Sequence, residues 1–444
     1  MLATLLLALA ADTVRVTGGD AVLLRAAVAT APAGGVVLVG SGTWAAPLEL
    51  DRPVALVGEG RPVLRGDGTG SVVRITARGA SLVGFILEHG GDDLDRDDAG
   101  VKVEADSVRL EDLELRDVLH GVYLKQVHFV TVRGVRIRGR AAVRPNDRGD
   151  GIHFFYSTHV LAERNDIADV RDGMYFSYSD TTVVRGNLVA RSRYGLHYMF
   201  SHRNRFEDNR FTESAAGSSI MNSRDVVARR NVFAWNRGVE SFGLLQQTTE
   251  RTVLEHNAFV GNGVGLFLDG AVDGLVRDNL IAHNFVGLQL FGSATGNRIS
   301  GNAIVDNTYA ATGGAADSRF CVDGRGNYWS GDDGWDLDGD GVRDVPYGPG
   351  SPLTEVSRER PALRLFLSSP AATVLSWAER TFPVFQIEAV TDSCPLARPA
   401  VGVPPMVAPT PPAPAARRAA FASAASLLGL GFLVLLRARP GRLP

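Results

Sequence analysis

The chain runs to 444 residues, 45% of them hydrophobic, with a formal net charge of −3. That length buries a large continuous core, and the near-neutral balance leaves no basic field to hold nucleic acid. Charge decides nothing further.

Residues 1–10 (MLATLLLALA) form an apolar run ending in Ala8, Leu9 and Ala10, the small-residue pattern of an export signal, although no Lys or Arg precedes it. In the segment 11–35, residues 21–31 read as a short helix with leucines on one face. Such a helix would cap the first winding of a solenoid, whose end is otherwise an open sheet edge.

From residue 36 to about 330 the sequence repeats. Asn165, Asn187, Asn209, Asn231, Asn257, Asn279 and Asn302 follow one another at steps of 22, 22, 22, 26, 22 and 23 residues. Gly151, Gly173, Gly195, Gly217, Gly243 and Gly265 each precede the matching Asn by 14 residues, and Gly287 precedes Asn302 by 15. A fixed period in this range means a solenoid in which each repeat is closed by its neighbours. Each repeat holds only short alternating runs such as GIHFF, GLHYM and GLFLD between Gly, Asn and Asp, and none offers ten residues of helical periodicity. The expected fold is therefore all-β: a right-handed parallel β-helix of about a dozen coils, on the order of 58 Å long. The asparagines read as a stacked amide ladder, scaffold without chemistry. The glycines read as turn positions.

Strand alternation then sorts the side chains. Residues one and three after each glycine point inward. Residues two and four after it point out, among them His153, Tyr175, His197 and Phe267, then Phe155, Met199, Met221 and Phe291. That face is too apolar for ordinary solvent and marks an interaction surface or a ligand groove. His197 and Met199 share one strand face, Met221 lies one coil up, about 4.8 Å away, and His202 follows at the next turn. Thioether with imidazole is a soft donor set suited to Cu(I) more than to Zn or Ca. His153, two coils below His197, is a secondary candidate. Met and His packed under a covering loop or partner is the competing reading.

Three long connections fall at the same corner of the coil, and one of them carries Asp92, Asp93, Asp95, Asp97 and Asp98. Beyond the coils, 331–394 reads as an extension with an Asp-rich loop. Asp336, Asp338, Asp340 and Asp344 stand at positions 1, 3, 5 and 9 of a calcium-loop pattern with Gly341 at position 6, but Tyr347 replaces the Glu at position 12. A plain Asp-Gly turn cluster is the alternative. The two cysteines, Cys321 and Cys394, read either as a disulfide pinning the tail to the last coil or as two thiols able to hold a metal. Residues 395–418 are a Pro/Ala-rich linker. Residues 419–436 are an uncharged run flanked by Arg417, Arg418, Arg437 and Arg439, read as a membrane helix or a cleaved sorting signal. Both readings place the rod outside the cytoplasmic membrane.

Many β-helices cleave or epimerise acidic polysaccharides, a chemistry that needs paired acids or an Asp with Lys and Arg. Asp150 and Asp172 stack, but the following coils carry Tyr194, Ala216 and Phe242 at that position, so no catalytic constellation is read. The glycan lyase, hydrolase or epimerase remains the alternative.

The segments RGDGIHFFYS, RDGMYFSYSD, RYGLHYMFSHRNRFEDN and LQLFGSATGNRISGN, followed by GRGNYWSGDDGWDLDGDGVRDVPY, carry a resemblance. The chain resembles the NosD family of periplasmic maturation proteins of nitrous oxide reductase, over most of its length to about residue 390. The resemblance implies a non-enzymatic protein that works with an ABC transporter permease and ATPase. It also implies help in delivering copper to the reductase, with the metal received from a lipoprotein chaperone. The hydrophobic segment 419–436, not expected in that family, is compatible with an inner-membrane anchor beside a permease.

Overall fold

The computed structural model describes residues 12–348, apart from 141, 239–240 and 315–316, together with 374 and 390–401. The expected export signal 1–10, the linker beyond 401 and the segment 419–436 lie outside the described residues. Among the described residues, no helix is long and apolar enough to cross a membrane.

The 22-residue period winds into a parallel β-solenoid with three sheets of 13, 12 and 13 strands, in which each strand pairs with those one repeat before and after it. Asp172–Ser177, for example, pairs in register with Ile152–Phe155 below and Tyr194–Met199 above. The inward column is continuous: Phe154 and Phe176 stack at 4.0 Å, and Phe211, Phe233 and Phe259 stack at 5.3 and 5.2 Å. Offset stacking of this kind adds to simple area burial in a core.

The asparagine ladder forms as the spacing predicts. Asn187 Nδ2 donates to Asn209 Oδ1 at 2.8 Å, Asn209 Nδ2 to Asn231 Oδ1 at 2.9 Å, and so on through Asn302 to Asn327. Each Oδ1 also accepts the backbone N–H of the asparagine one coil below, as Asn209 Oδ1 does from Asn187 at 3.0 Å. These turn groups are buried, so the side chains replace the water they have lost. A second ladder runs through Asn236, Asn262, Asn284 and Asn307.

The glycine ladder has a different cause from the one the sequence suggests. Gly173 and Gly195 lie inside strands, not in turns. A Cβ on Gly195 would sit 2.5 Å from the carbonyl oxygen of Gly217 on the next coil. The coils approach too closely there for any side chain.

Further elements adjoin the first and last described coils. The helix Ala21–Thr30, N-capped by the Asp20 side chain on the Val22 N–H at 2.8 Å, buries Leu24, Ala27 and Val28 in the core. The segment expected as a helical cap also holds the strand Thr13–Val16, which pairs with Val36–Val39 and extends the first sheet. At the other end Cys321 and Cys394 are joined in a disulfide, so neither thiol is a metal ligand. The bond holds residues 390–401 on the last coil, where Asp392 Oδ2 ends the ladder by accepting from Asn327 N at 2.7 Å, Asn327 Nδ2 at 3.1 Å and Trp329 Nε1 at 3.0 Å. The acidic run 92–98 turns inward only at its end: Asp97 pairs with Lys102 and Lys125 at 3.3 and 3.0 Å and Asp98 is buried, while Asp92 and Asp95 stay exposed.

Candidate metal centre

The site face belongs to the 12-stranded sheet. Tyr123, His153, Tyr175, His197 and Ser219 are successive partners up one column, in which Tyr123 and Ser219 are buried and the three between them are partly exposed. Phe155, Ser177, Met199 and Met221 form the adjacent one. Met199 and Met221 are direct neighbours on adjacent coils, both half-buried. The Tyr175 hydroxyl reaches Met199 Sδ at 3.9 Å. The inward residues of the same strands, Met174, Phe176, Leu196 and Tyr198, are buried, so the alternation separates core from face.

Beneath the face lie two fully buried carboxylates. His153 Nδ1 donates to Asp150 Oδ2 at 2.8 Å, and His197 Nδ1 donates to Asp172 Oδ2 at 3.1 Å. A carboxylate only accepts here, so each imidazole carries a proton on Nδ1, and in the neutral ring Nε2 is then the lone pair left for a ligand. Arg171 grips Asp150 at 2.9 Å, and Arg193 grips Asp172 at 2.6 Å, each arginine one coil above its acid. Buried charges persist only when paired in this way. Burial would raise the Asp150 carboxyl, but the bond from His153 and the neighbouring positive charges outweigh it and hold it down at about 2. Neither Nε2 has a hydrogen-bond partner among the described residues; that of His153 is buried outright.

His120 adjoins this network. Its Nδ1 accepts the Asp150 N–H at 3.1 Å, and burial pushes its pKa down to about 4, so it is a neutral imidazole. One donor atom each from His120, Asp150 and His153 lies within 4.8 Å of the others. Spacing did not single out His120, because its strand lies before the regular Asn ladder begins. Asp150 and Asp172 stood out only as candidate acids, although Arg-Asp at 171–172 falls in phase with Arg193, the residue that neutralises Asp172 one coil on.

His202 lies in the turn after the strand Tyr194–Met199. Its Nδ1 accepts the Arg224 N–H at 3.2 Å, and it lines a separate cavity of about 420 Å³ with Asn222, Arg224 and Glu250. Of the Asp-rich loop, Asp336, Asp338 and Asp340 converge, each placing a carboxylate oxygen within 4.8 Å of the others. Asp344 instead accepts the Leu337 N–H at 2.7 Å.

Residues 133–334 match a family described as periplasmic copper-binding protein (NosD). A Pseudomonas aeruginosa protein named probable ABC transporter binding protein NosD is 35% identical over 417 residues, covering 90% of this chain and 95% of that one. The chain belongs to the NosD family. A relative of the same name from Stutzerimonas stutzeri is 34% identical over 80% of this chain and 85% of its own. The matched stretch of this NosD chain takes in His153, His197, Met199 and Met221 and ends before Asp336. Among solved structures, the A-module of mannuronan C-5 epimerase AlgE6 from Azotobacter vinelandii superposes with a TM-score of 0.55 at 16% identity, over 68% of this chain and 95% of that one. A likeness of that depth shows the shared solenoid alone. The curated NosD relatives are named as binding proteins, and the stacked acids of this chain, Asp150 and Asp172, are each tied to an arginine and a histidine.

Proposed function

We propose that this NosD chain is a periplasmic accessory protein for nitrous oxide reductase maturation, a docking scaffold that works with an ABC transporter to deliver copper. His197, Met199 and Met221 take Cu(I) transiently. The observation that carries this reading is the His197 imidazole, held through Nδ1 by Asp172, on the same strand face as Met199 two residues on, with Met221 pairing with Met199 from the next coil. Thioether and imidazole donors suit Cu(I), and an open surface set exchanges its ion more readily than a closed cage. The family's description as periplasmic and copper-binding, and the relatives' naming as transporter-binding, support the same reading.

In this account copper arrives from a lipoprotein chaperone at the His/Met face, and the region 329–347 seats on the permease. There Trp335 and Leu337 are 71% and 78% exposed, large apolar side chains suited to a contact. ATP-driven motion of the transporter changes which partner the rod engages before copper passes to the reductase. A calcium ion at Asp336, Asp338 and Asp340 would brace that docking loop.

The test is a competition titration of Cu(I) against the purified full chain. Native protein should outbind the variant carrying His197→Ala, Met199→Leu and Met221→Leu by at least tenfold, and equal affinities would exclude this site.

A further inference from the structure

The device that orients His197 is built a second time. His153 also has its Nδ1 on a buried carboxylate, Asp150, itself held by an arginine one coil above, and its Nε2 is buried without a partner. A scaffold role for His153 explains the bond to Asp150 but leaves that buried lone pair unused. The two histidines do not meet. Tyr175 is the direct strand partner of both, its ring centroid 4.6 Å from His153 and 4.8 Å from His197. Two coils separate them, about 9.6 Å along the rod. A single ion bridging two imidazoles needs its nitrogens only about 4 Å apart, since metal–nitrogen bonds are about 2.0 Å long. One ion cannot serve both.

Resting on the copper reading above, we propose that His153 and His120 form a second Cu(I) station, so that the face carries two ions per chain. His120 supplies the second imidazole: its ring stands edge-on to His153 with centroids 5.5 Å apart, and one of its nitrogens lies within 4.8 Å of one on His153. Tyr123 stacks on His153 at 4.4 Å and Tyr175 lies against its other side, so the pair is walled by rings. Two neutral imidazoles are an accepted copper donor set. Binding there costs His120 the hydrogen bond that it accepts from the Asp150 N–H at 3.1 Å, whereas at the other station only the long contact from the Tyr175 hydroxyl to Met199 Sδ, 3.9 Å, is given up. The His197 station therefore fills first and the His153 station second.

The experiment is an anaerobic Cu(I) titration of the full chain against a chromophoric chelator, with folding checked by circular dichroism. Native protein should take two equivalents, His153→Phe only the tighter one, and the variant with His197→Ala, Met199→Leu and Met221→Leu only the weaker one. Should His153→Phe fail to fold, His153→Gln takes its place with the same expected loss of one equivalent. One equivalent in the native chain, unaltered by the His153 substitution, overturns this proposal and leaves the His197 station standing. No uptake by the native chain overturns both.

Discussion

The Asp172 carboxylate accepts the Nδ1 proton of His197 at 3.1 Å from the neighbouring coil, and Arg193 holds that carboxylate in place. Orienting partners of this kind typically change metal affinity by about 10- to 100-fold. Asp172→Ala should therefore weaken Cu(I) binding by on the order of tenfold or more while His197, Met199 and Met221 remain. Competition titration reads this directly. An unchanged affinity would show that the carboxylate only neutralises Arg193.

The asparagine ladder makes a stability prediction away from the metal face. Asn209 accepts from Asn187 N and Nδ2 and donates to Val184 O and Asn231 Oδ1, at 2.8 to 3.0 Å. Asn209→Ala strands buried groups on both neighbouring coils. At about 1 to 3 kcal/mol for a buried group left unsatisfied, the loss should be about 3 kcal/mol or more. Urea denaturation measures it, and a change below about 1 kcal/mol would mean that water replaces the amide.

Asp392 predicts a pH dependence. Burial holds its carboxyl above the ordinary 3.8, and the hydrogen bonds from Trp329 and Asn327 offset this only in part. The folded state thus binds this proton more tightly than the unfolded chain. The stability gained from protonation is full below 3.8 and is lost as pH rises through the higher folded value. Asp392→Asn cannot titrate, so the variant should gain on the native protein as pH rises through that window and keep a constant difference above it. Denaturation curves recorded from pH 3 to pH 7 test this; two parallel stability profiles would count against a raised carboxyl.

The Cys321–Cys394 disulfide closes a sequence separation of 73 residues. In the chain-entropy account a loop of that size stabilises by about 4 kcal/mol. Replacing both cysteines by serine should lower stability by about that amount and leave Cu(I) uptake untouched, because neither sulfur is available as a ligand. A loss of copper in that double variant would contradict the assignment of the soft donors to methionine.

Much of the fold was legible because a solenoid writes its geometry once per coil. The 22-residue step gave the winding, and alternation after each glycine correctly separated Phe176 and Tyr198 inside from Tyr175 and Met199 on the face. The glycines were legible as a ladder but not for their reason, since the approach of Gly195 to the Gly217 carbonyl is a distance between coils that no local pattern carries. The site was half legible. The donors alternate within a strand, whereas the carboxylates that orient them depend on which coil's acid a histidine reaches: His153 bonds to Asp150 three residues earlier, His197 to Asp172 twenty-five residues earlier. The termination of the amide ladder by Asp392, 65 residues beyond Asn327, has no periodic signal at all.

The most direct test of the central claim is X-ray absorption at the copper edge of the full chain loaded with one equivalent of Cu(I). The account predicts a shell of mixed sulfur and nitrogen, in which the sulfur disappears in the Met199→Leu, Met221→Leu variant. A first shell without sulfur in the native protein, or one whose sulfur survives the double substitution, would contradict it.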